Sequence, residues 1–301
     1  MKHVWAGAIA VSLLAACGGG NPFTTTTGTG TGGSGTPSTT IPAAIQNDLG
    51  SFSFNSTTGV LTIQGVNLDA NGSAATYVRD ATLDQPGGYL GYTSQEDGLS
   101  RHSTAYVKQI DGTSAVVVVT GPQFGQVFGG ASYVRSGDYD PPGSNTTPNG
   151  GLVSYGGRYV GLLNASGDGG ALLTPPAGVD PSLLPAQAAE IRGDILINAD
   201  FTDNSVNGRI TNRVIPDNLA ATPEDLDLEV ATIAGDGTFT SNVLQGGQNR
   251  GTYGGIFGGV ESTVVAGALT AADHISRLSD EEEFGIFVLV QCGQPGAAPV
   301  C

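Results

Sequence analysis

The chain has 301 residues, of which 48 are glycine and only 13% are charged, and its formal net charge is −16 at neutral pH. An acidic chain repels nucleic acid and anionic lipid head groups, which excludes nucleic acid as an expected partner. Long helices need more Ala, Glu, Lys and Leu than this composition supplies, whereas many short strands with Gly-rich turns fit it well. The composition therefore predicts an all-β protein.

The N-terminus predicts a signal peptide over residues 1–16. A basic start at Lys2 precedes an apolar run that is too short to span a bilayer, which takes about 20 residues. The run ends in Leu-Ala-Ala-Cys at Cys17, which resembles a bacterial lipobox. In such lipoproteins the cysteine carries fatty acyl chains such as palmitate and becomes the first mature residue. The alternative is an ordinary signal peptide with a chance cysteine.

Residues 17–42 are predicted to be the lipidated cysteine followed by a tether. The segment is rich in Gly, Thr and Ser and cannot bury apolar area. Its glycines do not predict a nucleotide-binding loop, because no apolar strand precedes them and no helix follows. No aspartate retention signal follows Cys17, and by resemblance to other lipoproteins this favours the outer membrane. Exposure at the cell surface and orientation toward the periplasm both stay open.

Residues 43–150 are predicted to form a smaller antiparallel β-region. The apolar run from Val116 to Val119 indicates a strand covered on both faces. Turn-forming residues over 138–150 mark either a domain boundary or a long loop within one domain. The alternation of side chains and the turn signals predict strands at residues 51–55, 60–68, 75–79, 89–94, 104–110, 115–120 and 129–135.

Residues 151–301 are predicted to form an eight-stranded antiparallel up-and-down barrel. Such a barrel is filled by side chains or holds one small ligand, and closure leaves no exposed sheet edge. The last strand is apolar on both faces, so its outer face needs a cover, for which the N-terminal region is the candidate. The predicted strands are residues 152–163, 191–201, 205–215, 226–233, 237–243, 250–257, 262–269 and 284–292.

Two insertions in this region are predicted to carry short helices. Asp180 is placed as the N-cap of a helix that begins at Pro181. Thr270 and Asp273 have the spacing of a capping box that leads into a helix over residues 274–278. Long loops at a barrel end are common places for binding.

A hairpin over residues 253–269 combines small residues with aromatic ones at a period of two. Phe257, Glu261 and Gly267 match the G-x-F-x-G-x-x-A/V-E-x-x-x-G pattern, with a small shift before the last glycine. This hairpin resembles the C-terminal barrel of the transferrin-binding protein B-like surface lipoproteins, and residues 198–210 resemble a strand–turn–strand segment of that family. The family includes transferrin-binding, haem-acquisition and complement-factor-binding lipoproteins, and a handle-like β-domain often precedes each of its barrels.

The resemblance implies a binding protein that captures a nutrient, a haem or a protein through the barrel and its loops. It specifies neither iron nor transferrin. A barrel filled by Phe239, Phe257, Ile197 and Val288 would exclude the version with an internal ligand. The alternative function is a structural or adhesive envelope lipoprotein with no small ligand.

The remaining cysteines, Cys292 and Cys301, are predicted to form a disulfide in an oxidising compartment, with free thiols as the alternative. No histidine lies near them in sequence, so a metal site at this pair is not expected. The many tyrosines between residues 77 and 159 are expected to pack in strands, with a haem ligand or partner patch among them as the alternative.

No catalytic constellation is evident, so no enzyme, cofactor or metal site is predicted. There is no Gly-x-Ser-x-Gly elbow. His102 is expected to cap a loop, and His274 is expected at the surface. The acidic run from Asp280 to Glu283 is expected to be a solvated turn, with a cation site as the alternative.

Overall fold

The computed structural model describes residues 40–66, 74–143, 151–216, 221, 223–299 and 301. The predicted signal peptide, Cys17 and most of the tether lie outside these residues, as do the end of the strand predicted at 60–68 and part of the turn-rich 138–150 segment. No helix in the described part of the chain is long and apolar enough to cross a bilayer.

The N-terminal region forms an antiparallel sheet of seven strands in sequence order, which follows a short helix, α1 (Ala43–Gln46). All seven predicted strands are present. Asp111 and Gly112, both with positive φ, connect the fifth and sixth strands in a tight hairpin. The strands are β1 (Ser51–Asn55), β2 (Val60–Gln64), β3 (Ala74–Arg79), β4 (Leu90–Ser94), β5 (Ser103–Ile110), β6 (Thr113–Thr120) and β7 (Gly129–Arg135).

The C-terminal region is a closed, eight-stranded antiparallel barrel, in which the last strand pairs with the first. The predicted fold class is therefore confirmed. Each strand pairs with the next along the chain. The strands are β8 (Leu152–Ser166), β9 (Ala188–Asp200), β10 (Ser205–Val214), β11 (Leu226–Thr232), β12 (Thr238–Gln245), β13 (Gln248–Gly258), β14 (Val264–Ala272) and β15 (Glu282–Gln291).

The barrel interior is filled by side chains. The ring of Phe257 lies 4.9 Å from that of Phe201 and 5.2 Å from that of Phe239, centroid to centroid. Gly267 makes room for the aromatic layer, because a Cβ there would lie 2.2 Å from Cζ of Phe287. The interior side chains come from all eight strands and include Tyr155, Tyr159, Ile195, Ile197, Val206, Ile210, Leu226, Leu228, Phe239, Val243, Tyr253, Phe257, Val265, Leu269, Phe287 and Leu289.

The outer face of β14 and β15 is covered by the N-terminal sheet, as the two apolar faces of the last strand predict. Ile286 and Val288 pack in one buried cluster with Val117 and Val119 of β6. Val288 therefore points away from the interior, which corrects its assignment to the barrel filling. Strand β6 is buried along its whole length. Its face away from the barrel carries Val116 and Val118, which pack against other residues of the N-terminal sheet.

The barrel has two distinct ends. The loop end carries the connection between β8 and β9 and the connection between β14 and β15. Two loops of the N-terminal sheet, residues 95–102 and 121–128, lie at the same end, and the amide of Ala186 donates to the carbonyl of Pro122 (3.2 Å). The opposite end, called here the tether end, lies near Thr40, the first described residue, which lines a groove with Thr238.

Cys292 and Cys301 form a disulfide, with their Cα atoms 5.4 Å apart. The bond closes the tail that follows β15 at the tether end. The backbone N–H of Cys292 also donates to the carbonyl of Ser154 (2.8 Å), which holds the start of the tail against β8.

The seam that closes the barrel, between β15 and β8, is bridged by the N-terminal sheet. The backbone ladder is interrupted between the pairs Ile286–Val160 and Val290–Gly156. In this gap the hydroxyl of Tyr89 accepts from Val288 N (3.1 Å) and donates to Arg158 O (2.7 Å). The Val288 carbonyl accepts from Lys108 Nζ (2.7 Å), and burial lowers the pKa of Lys108 to about 8.

The substitution Tyr89→Phe is expected to destabilise the protein by about 1–3 kcal/mol, because it removes the partner of the buried Val288 N–H and of the partly buried Arg158 carbonyl. Hydrogen exchange should show faster exchange of the Val288 amide. Tyr92→Phe is the matched control, since its hydroxyl donates to Gly59 O (2.7 Å) within the N-terminal sheet. Equal protection of Val288 in both variants would contradict the bridging role.

Candidate functional site

A buried polar cluster closes the interior of the barrel at the loop end. Glu283 lies at the start of β15 on the face that points inward, and its carboxylate accepts from Arg213, His274 and Tyr159. The side chains of Arg213, His274 and Glu283 have no exposed surface. We call these four residues, Tyr159, Arg213, His274 and Glu283, the polar plug.

The neighbouring carboxylate, Glu281, fixes the connection between β14 and β15. Its Oε1 accepts from the backbone N–H groups of His274 (2.5 Å) and Ile275 (2.6 Å). Residues 274–278 form turns instead of the predicted helix, because Arg277 has a positive φ (78°), which an α-helix does not allow. Three predictions are therefore wrong: the helix, the surface position of His274 and the fully solvated acidic run, since Glu281 and Glu283 are buried.

The plug keeps Glu283 ionised. Burial alone would raise the pKa of Glu283, but the Arg213 guanidinium and the bond from His274 more than offset it and lower the pKa to about 2. Burial and the Glu283 charge raise the pKa of Tyr159 well above its ordinary value, so this hydroxyl stays protonated and donates. Within the described residues no group of His, Cys, Asp and Glu is arranged to hold a metal ion. The arrangement supports an ion-paired closure of the barrel.

The first-half tyrosines are packed in the structure, as predicted. Tyr89, Tyr106, Tyr155 and Tyr159 are fully buried, and each hydroxyl has a protein partner. Tyr106, for example, donates to Glu190, which also accepts from Gln85 (2.7 Å) between the sheet and the barrel. These hydroxyls are engaged inside the protein, so the haem-ligand alternative has no support among them.

His102 is buried directly before β5, and neither ring nitrogen has a hydrogen-bond partner within the described part of the chain. The expectation that its ring caps a loop is therefore wrong. Burial is the main cause that lowers the pKa of His102 from 6.5 to about 4. The ring is neutral in the folded protein at neutral pH.

This burial predicts a loss of stability in mild acid. The unfolded chain takes up a proton at His102 near pH 6.5, whereas the folded protein does so near pH 4, so stability is lost as the pH falls through this window. Urea unfolding of the protein and of His102→Phe measures this effect, and the slope should be smaller in the variant. An NMR titration of the folded ring with a midpoint near 6.5 would contradict the prediction.

A second feature of the loop end is a group of exposed apolar side chains on three adjoining loops. Gln123 is buried beneath them, and its side-chain amide donates to Leu99 O (2.9 Å) and Leu183 O (3.2 Å). Leu173 is joined to the same surface through its backbone N–H, which donates to Gln95 Oε1 (2.8 Å). We call this surface the loop patch, and its exposed apolar members are Leu99, Phe124, Leu173 and Leu183.

The loops that form the patch are held in place by local hydrogen bonds. Asp97 accepts from the amides of Leu99 and Ser100 (2.8 and 2.9 Å). Asp180 accepts from Ser182 N (2.9 Å) and caps the short helix Pro181–Leu183, which confirms the predicted N-cap. The patch is therefore presented on ordered backbone. Sequence reasoning missed it, because the four residues are far apart in the chain.

Acidic side chains accompany the apolar ones on two of the three loops of the patch. Glu96 and Asp97 lie on the loop of Leu99, Asp168 and Asp180 lie on the loop of Leu173 and Leu183, and all four are exposed. Arg101 is turned inward, since its guanidinium donates to the carbonyls of Gln126 (2.6 Å) and Gln123 (3.1 Å). The surface thus combines an apolar centre with a negative rim.

Comparison with known proteins was made at the level of sequence and of fold. No family model matches the sequence, and no curated protein matches it. Similarity was found to solved structures of transferrin-binding protein B. The intact Ap-TbpB structure with N and C lobes is 12% identical with a TM-score of 0.36, and the match covers 77% of this chain and 52% of that one.

Two further matches are to the transferrin-binding protein B of Neisseria meningitidis serogroup B and to a double mutant of the Haemophilus parasuis Hp5 transferrin-binding protein B. Both are 12% identical, with TM-scores of 0.34 and 0.31, and both matches cover 80% of this chain. The chain resembles transferrin-binding protein B. It spans about half the length of the transferrin-binding protein B structures that it matches.

Proposed function

We propose that this protein is a lipid-anchored binding protein of the outer membrane, without enzymatic activity, and that it captures a partner protein through the loop patch. The observation that carries this proposal is the patch itself, four exposed apolar side chains on loops that a buried glutamine joins. Single exposed apolar residues are ordinary, but a group of them on ordered loops is typical of an interaction surface.

The filled barrel supports a partner at the loops over a ligand inside the barrel. Phe239 and Phe257 pack against each other in the interior, and the polar plug closes the loop end. An eight-stranded barrel of this kind is just wide enough for its own side chains. A haem would have to displace this aromatic layer, so we place the ligand outside.

The rim of the patch indicates the chemistry of the partner. Three aspartates and one glutamate are exposed on two of the loops that carry the patch, and the whole chain carries a net charge of −16. Complementarity favours a partner protein whose apolar patch is flanked by lysine and arginine. Association should then slow as salt is added, because salt screens exposed charges.

Photo-crosslinking in intact cells tests this proposal. A photoreactive phenylalanine analogue replaces Phe124 in the full chain, and the same analogue at Val260 is the control, since Val260 is 74% exposed at the tether end. We expect a light-dependent adduct with one defined protein from position 124, and its loss when Leu99→Asp and Leu183→Asp are added. No adduct at 124, or the same adducts at both positions, would leave the structural envelope role as the better explanation.

The anchor is tested separately. Cys17→Ala should move the protein from the outer-membrane fraction to the soluble fraction, because the acyl chains supply the membrane affinity. Protease treatment of intact cells then distinguishes a surface-exposed protein from one that faces the periplasm. Retention of Cys17→Ala in the outer membrane would contradict the lipid anchor.

A further inference from the structure

A surface cavity of about 210 Å³ opens at the loop end of the barrel, apart from the loop patch. It lies between the β12–β13 hairpin and the connection from β14 to β15. Arg250, Asp273, Ser276 and Glu281 contribute to its wall. Its polar lining distinguishes it from the apolar barrel interior.

Arg250 lines this cavity as the extra residue of a β-bulge. Val243 of β12 pairs with Gly251, whereas the next residue, Leu244, pairs with Asn249. Bulges redirect a side chain out of the regular alternation. The residue after Arg250 must be glycine, because a Cβ at Gly251 would lie 1.9 Å from the carbonyl oxygen of Thr270.

The guanidinium of Arg250 is unpaired. Within the described residues it has no ion-pair partner, and its Nε is buried without a hydrogen bond. Arg79, Arg158 and Arg209 each face a carboxylate on the surface. In a chain with 27 acidic and 11 basic residues, a partly buried arginine left without a carboxylate is a group available to a ligand.

The other charges of the wall decide the class of ligand. Glu281 Oε1 is occupied by the amides of His274 and Ile275. Asp273 is exposed and takes part in no ion pair within the part of the chain that the structure describes. A simple anion is repelled by these two carboxylates, and a simple cation is repelled by Arg250.

From this charge arrangement we infer that the cavity binds a small zwitterion with one carboxylate and one ammonium group, the chemistry of a free α-amino acid. Arg250 receives the carboxylate and Asp273 receives the ammonium. The cavity volume suits a small side chain. His274 also lines the cavity, but its Nε2 faces Glu283 (2.8 Å) and Arg213 (3.0 Å) in the polar plug, and its Nδ1 lies 3.5 Å from Oε1 of Glu281.

Isothermal titration of the purified full chain tests this inference with glycine, L-alanine and L-serine. We expect saturable binding of at least one of them, and binding at least about tenfold weaker for acetate and methylamine, which carry only one of the two charges. Arg250→Gln and Asp273→Asn should each weaken binding about tenfold or more, because each removes a charge-assisted hydrogen bond.

Arg209→Gln is the control variant, since it removes the same charge from an exposed ion pair on the barrel wall. It should leave the affinity unchanged. The inference is overturned if none of the three amino acids binds saturably, if acetate binds as tightly as glycine, or if folded Arg250→Gln binds like the unmodified protein. None of these results depends on the partner of the loop patch.

Discussion

Glu283→Gln is expected to reduce the free energy of unfolding by about 3–5 kcal/mol, because it leaves the Arg213 charge buried without its counter-ion. Both side chains are fully buried, so water cannot replace the missing carboxylate. Urea unfolding followed by circular dichroism measures the change. The variant Arg213→Met combined with Glu283→Leu, which removes both charges, should lose less stability than Glu283→Gln alone.

The surface ion pair Arg158–Asp194 provides the control, because the Arg158 side chain is 52% exposed. Asp194→Asn should change the stability by no more than about 1 kcal/mol. A loss for Glu283→Gln as small as that of Asp194→Asn would show that the polar plug does not stabilise the barrel.

The same ion pair should show in the acid range. The pKa of Glu283 is lowered from 4.5 to about 2 in the folded protein, so its contribution to stability is fully present above pH 4.5. It is lost as the pH falls toward 2, when the folded carboxylate also takes up a proton. Glu283→Gln should lack this loss, whereas the loss assigned to His102 lies at higher pH.

Phe257→Ala is expected to destabilise the protein by about 3–5 kcal/mol, because it opens a cavity in the aromatic layer of the barrel. The ring of Phe257 is fully buried and packs against Tyr155, Phe201 and Phe239. Thermal unfolding measures the loss. A small apolar ligand such as benzene should bind to the variant and raise its melting temperature, since dry apolar cavities accept such molecules.

Phe124→Ala is the matched control on the surface, because its ring is 63% exposed. It should change the stability by no more than about 0.5 kcal/mol, as is typical of exposed positions. Equal losses for Phe124→Ala and Phe257→Ala would mean that the barrel interior is not the main source of stability in this region.

The strands and their pairing were predictable, because alternation of side chains carries the information. On neighbouring strands, Phe257 fills space inside the barrel, whereas Gly267 leaves space for the ring of Phe287. The two apolar faces of the last strand likewise predicted a cover, which the N-terminal sheet provides over Ile286 and Val288. The sequence did not predict which of the two faces points inward, since Val288 was assigned to the interior. Local patterns of this kind need no knowledge of distant contacts.

The polar plug and the loop patch were not predictable in the same way. A run of acidic residues such as Asp280 to Glu283 has the pattern of a solvated turn, and only the long-range contact with Arg213 makes burial of Glu283 favourable. The patch depends on Gln123, which joins loops that are about 24 and 60 residues away along the chain. Such features arise from the tertiary fold.

We expect the two halves of the molecule to share one folding transition, because the hydroxyl of Tyr89 lies in the gap of the β15–β8 ladder. The barrel cannot pair the Val288 amide and the Arg158 carbonyl until the N-terminal sheet has docked. The N-terminal sheet, in turn, cannot bury β6 until the barrel has formed. The chain therefore cannot complete this interface until β15 has been synthesised. Truncation before that strand should leave no independently stable half.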